Sequence, residues 1–252
     1  MRNVKVSIIT ATYNSARYIS DTYESIVNQT HDNWEWIITD DCSDDDTYNK
    51  IVHLSSLDNR IKIFRNDINK GAAESRNRCI INAEGDYLAF LDSDDLWYSD
   101  KILKQLQFMR TNDVDFSYTS YCLIDEKGSE LDKYIDTTTP LSVSYNDMLK
   151  KRATLGCSTV MLRKIEHEKI EMPNLRTGQD YATWLKILKS GKRAYRVPEC
   201  LAKYRIVSNS ISRNKFKKSI RQWSIYRKVE RINLIYSTWC FINYAFRAVV
   251  RR

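Results

Sequence analysis

The segment Tyr87–Asp95 reads YLAFLDSDD and decides the fold prediction, because a short apolar run is followed at once by three carboxylates. Four of the five residues from Tyr87 to Leu91 are apolar, which is typical of a buried strand. Acidic side chains directly after such a strand lie at the rim of a sheet, where their mutual repulsion raises their pKa values. Hard divalent cations favour oxygen ligands, so the segment predicts a Mg²⁺ or Mn²⁺ site.

The alternative explanation is that these acids only cap the next helix. Ser99 and Asp100 directly precede the helix predicted at Lys101–Thr111, and they provide a cap without help from the earlier loop. We therefore favour the metal site.

Strands and helices alternate four times around this segment. Val4–Ala11 (VKVSIITA) is a near-continuous β-branched run, as in a central strand that is covered on both faces. Alternation with short connections favours βαβ units, which predicts an α/β fold with a mostly parallel sheet flanked by helices and ligands bound beyond the carboxyl ends of the strands. The predicted strands are Val4–Ala11, Trp34–Thr39, Ile61–Arg65 and Tyr87–Leu91, and the predicted helices are Tyr18–Val27, Asp45–Leu57, Ala72–Ala83 and Lys101–Thr111.

The pattern is less regular after residue 111. Phe116–Ile124 shows no clear period, and a polar loop follows as far as Pro140. Length and composition allow one domain, residues 1–212, followed by a tail, residues 213–252. The later predicted elements are a strand at Thr159–Leu162, a helix at Tyr181–Lys189 closed by Gly191, and strands near Tyr195 and at Leu201–Ile206.

The net charge of +8 is concentrated in the tail. Residues 213–252 contain eleven Lys or Arg and a single acid, Glu230, so the preceding 212 residues are slightly acidic on balance. This distribution argues against a nucleic-acid-binding body, which would carry its basic patch on the folded domain. The six cysteines are far apart and form no CxxC pair, which predicts free thiols in a reducing cytoplasm.

Apolar residues recur every three or four positions in the tail, which predicts an amphipathic helix. Basic and aromatic residues on such a helix favour an anionic membrane surface, whereas Arg247 and two Asn residues make a spanning helix costly. The alternative is that the stripe packs against the body. The stripe consists of Ile232, Ile235, Trp239, Ile242, Phe246 and Val249, and the favoured membrane contacts are Lys217, Lys218, Arg221, Trp239 and Phe246.

A second acidic run, Asp40–Asp46, follows the strand predicted at Trp34–Thr39. Ser43 is suited to cap the next helix, with the three acids after it in the first turn, where carboxylates interact favourably with the helix dipole. Asp40 and Asp41 precede this cap, at the strand end, where a carboxylate can accept a hydrogen bond from a ligand.

Arg76 lies in the first turn of the helix that Gly71 opens, so its guanidinium can point back toward the sheet rim. A guanidinium there binds phosphate in bidentate fashion. The alternatives are a solvated side chain or an ion pair with Glu74. A carboxylate site nearby favours the phosphate role.

These motifs together resemble glycosyltransferase family 2, inverting enzymes with the GT-A fold, which has a Rossmann-like sheet. The family's first strand ends in Thr-Tyr-Asn, as at residues 12–14, and its second in Asp-Asp-x-Ser, as at residues 40–43. Gly71 and Arg76-Asn77 follow in the family's order. Residues 85–95 match its Gly-Asp/Glu-Tyr-x-x-Phe-Leu-Asp-x-Asp-Asp. The resemblance assigns residues 1–111 to nucleotide-sugar binding and residues 112–212 to the acceptor and the catalytic base.

The resemblance implies a role for each matched residue in binding a UDP-sugar and a Mn²⁺ or Mg²⁺ ion. Tyr13 would stack on the uracil, although packing at the strand end is the alternative, and Asp92 would approach the ribose. Asp94 would bind the metal, with Asp95 either as a second ligand or as a support. The implied donor-binding residues are Thr12, Tyr13, Asn14, Asp40, Asp41, Arg76, Asp92 and Ser93, of which Asp40 or Asp41 would hold the base.

A late acidic motif of the family carries its catalytic base and is matched at residues 177–184, TGQDYATW. Gln179 stands where Glu is commoner, which leaves Asp180 as the candidate base, with an N-capping role as the alternative. Ser208 stands where many members carry a His. The three histidines occupy no motif, so the metal would depend on carboxylates, phosphates and water. Those histidines are His31, His53 and His167.

The resemblance implies an inverting hexosyltransferase that uses UDP-glucose or UDP-galactose. Its acceptor would be a sugar on undecaprenyl diphosphate in O-antigen or surface-polysaccharide assembly, at the inner face of the cytoplasmic membrane. A nucleotidyltransferase also needs an acidic metal loop on an α/β sheet, but the chain lacks the Gly-rich basic N-terminal loop of that class. A nucleic-acid-binding protein would leave the carboxylates unexplained.

Overall fold

The structure, a computed structural model, describes residues 4–165, 169–207 and 215–250, without the side chains of 215–217 and 248–250. The strands are β1 Val6–Thr12, β2 Trp34–Asp40, β3 Ile61–Arg65, β4 Tyr87–Phe90, β5 Leu96–Trp97, β6 Phe116–Ile124, β7 Glu130–Ile135, β8 Ser142–Val143, β9 Val160–Arg163 and β10 Ala194–Arg205. The helices are α1 Ile19–Val27, α2 Thr47–Leu57, α3 Ala72–Ile81, α4 Lys101–Thr111, α5 Tyr145–Leu149, α6 Gln179–Lys189, α7 Lys215–Ser224 and α8 Leu234–Val250.

The described strands form one sheet in the order β3-β2-β1-β4-β9-β6-β10-β5, with β7 beside β6 and β8 beside β10. Strands β3, β2, β1 and β4 run parallel, and every residue of β2 and β4 is buried. Parallel strands end at the same edge of a sheet, so the residues that follow β1, β2 and β4 meet at one rim. The register supports this, because Thr12 pairs with Asp40. The predicted α/β fold is confirmed.

Helices cover both faces of the sheet and bury two hydrophobic clusters. Successive residues of β1 alternate between the clusters, as a strand covered on both sides requires: Ile8 belongs to one and Ile9 to the other. Trp184 of α6 makes edge contacts with Phe90 and Phe116, with ring centroids 5.2 and 5.6 Å apart. The start of α6 is therefore fixed against the strand that leads to Asp92.

The irregular sequence at Phe116–Ile124 forms a long central strand, β6, with eight of its nine residues buried. Buried polar residues interrupt the hydrophobic period of this strand, and two of them, Ser117 and Ser120, are satisfied by partners inside the protein. Gln105 Nε2 donates to Ser117 Oγ at 3.0 Å, and Ser120 Oγ donates to the Asp136 carbonyl at 3.1 Å. Strand β9 lies antiparallel between β4 and β6, so both predicted halves of the domain share one sheet.

The prediction of two strands near Tyr195 and at Leu201–Ile206 is wrong, because β10 is one strand from Ala194 to Arg205. Its pairing with β6 shifts register between Val197 and Ala202. Pro198 lies in this stretch and has no N–H to donate, so the strand bulges there without ending.

The tail forms α7, a π-helical turn at Ile225–Val229, and α8. Ser237 and Cys240 of α8 are fully buried against the body. Four residues of the predicted stripe lie on another face: Ile235 is 85% exposed, Trp239 54%, Ile242 55% and Phe246 68%. Ile232 instead packs against a hydrophobic cluster of the body. Packing against the body therefore does not account for these four residues, and the side chain of Val249 lies outside the described residues. Within the described ranges, no helix has both the length and the apolar character needed to cross a membrane.

Candidate active site

The loops that follow β1 and β4 meet at the rim of the sheet. Ser15 Oγ and Ser93 Oγ lie 2.8 Å apart, and Thr22 Oγ1 donates to the Ser93 carbonyl at 3.1 Å. Thr12 is buried, and its Oγ1 has no hydrogen-bond partner in the described part of the chain. The structure thus brings the first and last of the predicted donor-binding motifs together at this rim.

Tyr13 lies on the surface of this rim with its ring 44% exposed, so it does not pack in the core. Its hydroxyl approaches Asp44 Oδ2 at 3.3 Å. Asn14 has a left-handed φ of 51° and is held by the next loop, since its N–H donates to Ser43 Oγ and its Oδ1 accepts from Asp44 N. The exposed ring is therefore presented on a fixed backbone.

Asp40 is fully buried and holds its own loop. Ser43 N and Ser43 Oγ both donate to its carboxylate, at 3.1 and 2.5 Å, and Arg65 Nε lies 3.3 Å away. Ser43 is thus not the helix cap that its sequence position predicts, because its hydroxyl is committed to Asp40. Asp46 occupies the N-cap position of α2, without a side-chain cap bond.

Asp41 connects the end of β2 to the turn that precedes α3. Its Oδ1 accepts hydrogen bonds from Asn66 Nδ2 and Lys70 N, both at 2.8 Å, and its Oδ2 accepts one from Gly71 N at 2.7 Å. Asp41 is 3% exposed. In this state its oxygens bind the protein, and this bonding fixes the start of the helix that carries Arg76.

Arg76 pairs with Asp92, not with Glu74. The guanidinium is 7% exposed, and its Nη2 donates to Asp92 Oδ1. Its Nε and Nη1 are buried and have no acceptor among the residues that the structure describes. Burial lowers the pKa of Arg76, but its acidic surroundings raise it further, so that the net shift is upward. The groups responsible are Cys157, Asp92 and Asp180.

Asp94 carries the one carboxylate of its loop that no other described residue binds. Burial and the neighbouring charge of Asp92 raise the pKa of Asp94 to about 6. Such a group is stabilised as an anion by a nearby cation. Asp94 thus remains available at the rim, beside Arg76 and Asp92.

Asp95 is 1% exposed and joins three segments of the chain. Its Oδ2 accepts a 2.6 Å hydrogen bond from Ser158 Oγ, and its Oδ1 accepts one of 2.9 Å from Arg205 N. Burial raises the pKa of Asp95 well above its usual range, and the charge of Asp94 adds to this. Arg205 also donates from Nε to the Asp94 carbonyl at 2.8 Å. Ser158 and Arg205 are thus the residues that shape the loop, and Ser158 has no distinguishing signal in the sequence.

Asp180 lies in the first turn of α6 and is not its N-cap, because Gly178 holds that position with a φ of +79°. The carboxylate is half-buried and close enough to Arg76 to raise the pKa of that guanidinium. A side chain at residue 178 would also approach the tail, since a Cβ there would lie 3.0 Å from Arg221 Cδ. The start of α6 therefore lies between the rim and α7.

The side chains at the rim can bind a hard divalent cation only if other ligands complete its coordination. Across the described ranges, no three His, Cys, Asp or Glu side chains gather as a metal cluster. Asp94 supplies one free carboxylate, and Mg²⁺ characteristically combines one or two carboxylates with substrate phosphates and water. His31 bonds backbone carbonyls and His53 is exposed, while His167 and Ser208 lie outside the described residues.

A cavity of about 370 Å³ lies between α3, α6 and the π-helical turn. Asn77, Lys186 and Glu230 are among its lining residues, but none of the predicted donor or metal residues is. The rim site lies elsewhere, at the ends of β1, β2 and β4. It is recognised by its chemistry, since Arg76, Asp92, Asp94 and Asp180 converge there.

A parallel sheet whose strand ends gather an exposed tyrosine, a buried arginine and a carboxylate loop is the arrangement of the GT-A glycosyltransferases. Residues 7–168 match the model of glycosyl transferase family 2, and the chain belongs to this family. It is a glycosyltransferase, as the resemblance in its motifs predicts. The alternative of a nucleotidyltransferase is wrong.

Two relatives align over most of the chain. TuaG of Bacillus subtilis (strain 168), named for teichuronic acid biosynthesis, is 47% identical over 98% of this chain and 97% of its own. WfgD of Escherichia coli is 38% identical over 89% of this chain and 86% of its own. The name of WfgD describes a UDP-Glc:alpha-D-GlcNAc-diphosphoundecaprenol beta-1,3-glucosyltransferase.

Two solved structures share the fold. Staphylococcus aureus TarS, in complex with UDP-GlcNAc, has a TM-score of 0.70 at 20% identity and aligns with 89% of this chain and 67% of its own. The mannosyltransferase PcManGT of Pyrobaculum calidifontis, in complex with GDP-Man and Mn²⁺, has a TM-score of 0.69 at 16% identity. It aligns with 95% of this chain and 72% of its own.

Proposed function

We propose that the protein is an inverting hexosyltransferase that takes a hexose from a UDP-sugar, with UDP-glucose or UDP-galactose favoured. Its acceptor is a sugar on a lipid diphosphate in bacterial O-antigen or surface-polysaccharide assembly. One observation carries the proposal: Arg76 pairs with Asp92 and is also close to Asp180. A phosphate-binding cation and a candidate base therefore lie at the same rim. The names of WfgD and of the TarS complex support the UDP-sugar.

The donor is proposed to lie along the rim from Tyr13 to Arg76. The exposed Tyr13 ring offers a face on which uracil can stack. The unpartnered Nε and Nη1 of Arg76 provide two donors for a diphosphate. Asp40 and Asp41 hold the loops around the base, and Asp92 and Ser93 line the ribose side. A ligand that meets the buried donors of Arg76 removes the cost of leaving them unbonded.

Asp94 is the residue proposed to hold the metal, and Asp95 the residue that supports it. A bound Mn²⁺ or Mg²⁺ ion would supply positive charge beside the diphosphate. The carboxylate of Asp94 is free for this role, whereas both oxygens of Asp95 accept hydrogen bonds from the protein. The Mn²⁺ complex of PcManGT agrees with a divalent ion in this fold.

In the proposed reaction, Asp180 accepts the proton of an acceptor hydroxyl as that oxygen attacks the anomeric carbon. A bond forms between this oxygen and C1, and the bond from C1 to the phosphate oxygen breaks. The electron pair leaves with UDP, whose negative charge Arg76 stabilises. Attack on the face opposite to the leaving group inverts the configuration at C1.

The acceptor is proposed to enter beside the tail. Arg221 reaches the start of α6 and has no acidic partner among the described residues, so its charge is free to meet the diphosphate of a lipid-linked sugar. The exposed face of α8 would lie on the cytoplasmic surface of the inner membrane, where acyl chains cover Trp239 and Phe246 and anionic headgroups attract the basic tail. Lys218 is half-buried, and the side chain of Lys217 lies outside the described residues.

The test is a transfer assay with the full chain, Mn²⁺ and a synthetic sugar-diphosphate-lipid acceptor. A panel of UDP-hexoses and GDP-mannose is supplied one donor at a time, and the anomeric configuration of the product is determined by NMR. We expect transfer from a UDP-hexose with inversion, and none after chelation of the metal. Retention of configuration, or transfer from GDP-mannose alone, would contradict the proposal.

A further inference from the structure

Asn77 follows Arg76 on α3, and its side-chain amide pairs with the backbone of Met172 in both directions. Nδ2 donates to the Met172 carbonyl at 2.9 Å, and Oδ1 accepts from Met172 N at 2.7 Å. Met172 is 1% exposed, so its backbone groups need partners within the protein. The amide supplies both of them, as a neighbouring strand would.

The segment after Met172 leads to the candidate base. It contains no helix or strand before Gln179 and turns at Pro173, whose carbonyl accepts from Leu175 N at 2.7 Å. Asp180 lies eight residues after Met172. The point at which α3 holds Met172 therefore contributes to the position at which the chain enters α6, together with the packing of Trp184.

A second contact between the same two parts of the chain is weaker. Arg176 Nη1 donates to Asn69 Oδ1 at 3.0 Å, but both residues are exposed. Exposed polar contacts of this kind add little to the stability of a geometry, because water competes for the same groups. Among the described residues, the partly buried amide of Asn77 is thus the main polar contact between the helix that carries Arg76 and the segment that leads to Asp180.

We propose that Asn77 is a positioning residue that holds Asp180 at a fixed distance from Arg76. The inference rests on the proposed function, in which Asp180 accepts the proton and Arg76 binds the leaving diphosphate. Only a side chain with a donor and an acceptor in one plane can pair with both backbone groups of Met172. Aspartate keeps the size of asparagine but cannot donate to the carbonyl, and alanine can do neither.

The first experiment compares Asn77→Ala and Asn77→Asp with wild type, well below their unfolding midpoints. We expect kcat for sugar transfer to fall by about 10²-fold, as for a displaced catalytic group, while the Kd for the UDP-sugar changes less than about twofold. The matched control is Asn82→Ala. Asn82 is exposed at the C-cap of the same helix, and among the described residues its side-chain amide donates to the Arg78 carbonyl within that helix, so the kcat of Asn82→Ala should match wild type.

The second experiment combines Asn77→Ala with Asp180→Asn. If Asn77 acts through Asp180, the double variant is no slower than Asp180→Asn alone. Wild-type kcat for Asn77→Ala, or losses that multiply in the double variant, would overturn the inference. A different result, wild-type kcat for Asp180→Asn, would contradict the proposed function and the inference with it.

Discussion

The backbone N–H of Arg205 donates a 2.9 Å hydrogen bond to Oδ1 of Asp95, which lies 110 residues earlier in the chain. Ser158 Oγ donates to the other oxygen of the same carboxylate at 2.6 Å. The neighbouring Asp94 receives no such bond from another described residue. One of the two adjacent carboxylates is therefore bound by the protein and the other is not. Substitution of Asp95 should lower the stability of the fold, whereas substitution of Asp94 should affect metal binding.

Asp95→Ala should destabilise the fold. The change removes both acceptors and leaves two buried donors, the Arg205 N–H and the Ser158 O–H, without an acceptor, at a cost of about 1 to 3 kcal/mol for each group. Chemical denaturation followed by circular dichroism measures the loss. An unchanged unfolding free energy would show that Asp95 does not support the loop.

Asp94→Ala is the matched comparison. Because no other described residue donates a hydrogen bond to the Asp94 carboxylate, its removal leaves no buried donor without an acceptor and should not lower the unfolding free energy. The variant should lose the Mn²⁺-dependent part of UDP binding in titration calorimetry. Retention of metal-dependent binding in Asp94→Ala, together with its loss in Asp95→Ala, would reverse the proposed assignment.

The exposed face of α8 should bind membranes. Replacing Ile235 and Phe246 by Ser together should weaken binding to vesicles that contain anionic lipid by at least about tenfold, because large apolar side chains no longer enter the bilayer surface. Co-sedimentation with vesicles of phosphatidylglycerol and phosphatidylcholine measures the effect.

A double variant of the catalytic body, Leu57→Ser with Leu141→Ser, is the control. Both leucines are 67% exposed, close to the 68% of Phe246, but they lie outside the tail. This variant should bind vesicles as wild type does. Equal weakening in the two double variants, or equal binding of wild type to neutral and anionic vesicles, would contradict a tail-directed membrane surface.

Glu35 should make stability depend on acid pH. The carboxylate is 2% exposed; burial raises its pKa, but hydrogen bonds from Ser7, Lys62, the Glu84 backbone and Lys5 outweigh burial and lower it to about 2. A folded-state pKa below the usual 4.5 gives stability that is present above pH 4.5 and is lost as the pH falls toward 2. Wild type should therefore lose about 2 to 3 kcal/mol over this range that Glu35→Gln does not lose.

Glu84→Gln provides the matched control, since Glu84 binds the same two lysines, Lys5 and Lys62, with its side chain 63% exposed. Its acid-dependent contribution should be much smaller, because exposed ion pairs are screened by water. Urea titrations at pH 2.5, 4 and 6 compare the three proteins. Parallel pH dependence of wild type and Glu35→Gln would refute the role of Glu35.

The parts of the fold that the sequence predicts best are those where hydrophobic pattern and environment agree. Ile61–Arg65 and Lys101–Thr111 were predicted with the bounds that the structure shows. Strand β6 was not, because Ser117 and Ser120 look like loop residues until their partners in space are known. Two strands were predicted in place of β10, because its pairing with β6 continues through the bulge between Val197 and Ala202 and is a contact between distant parts of the chain.

Sequence motifs gathered the residues of the site but not their pairing. Nothing local distinguishes Glu74 from Asp92 as the partner of Arg76, since the choice depends on how α3 packs against β4. Likewise, Asp94 and Asp95 are adjacent in sequence, and only the positions of Ser158 and Arg205 separate their surroundings. Contacts between distant parts of the chain therefore determine the partner of Arg76 and the different surroundings of Asp94 and Asp95, which the motifs do not predict.

The kinetics of Asp180→Asn test the central claim most directly. Asparagine keeps the size of the side chain at the start of α6 but cannot accept the proton, so kcat for sugar transfer should fall by about 10² to 10⁴-fold. The Kd for the UDP-sugar with Mn²⁺ should stay within about twofold of wild type, since the donor residues are untouched. A kcat close to wild type would contradict the assignment of Asp180 as the base and, with it, the proposed mechanism.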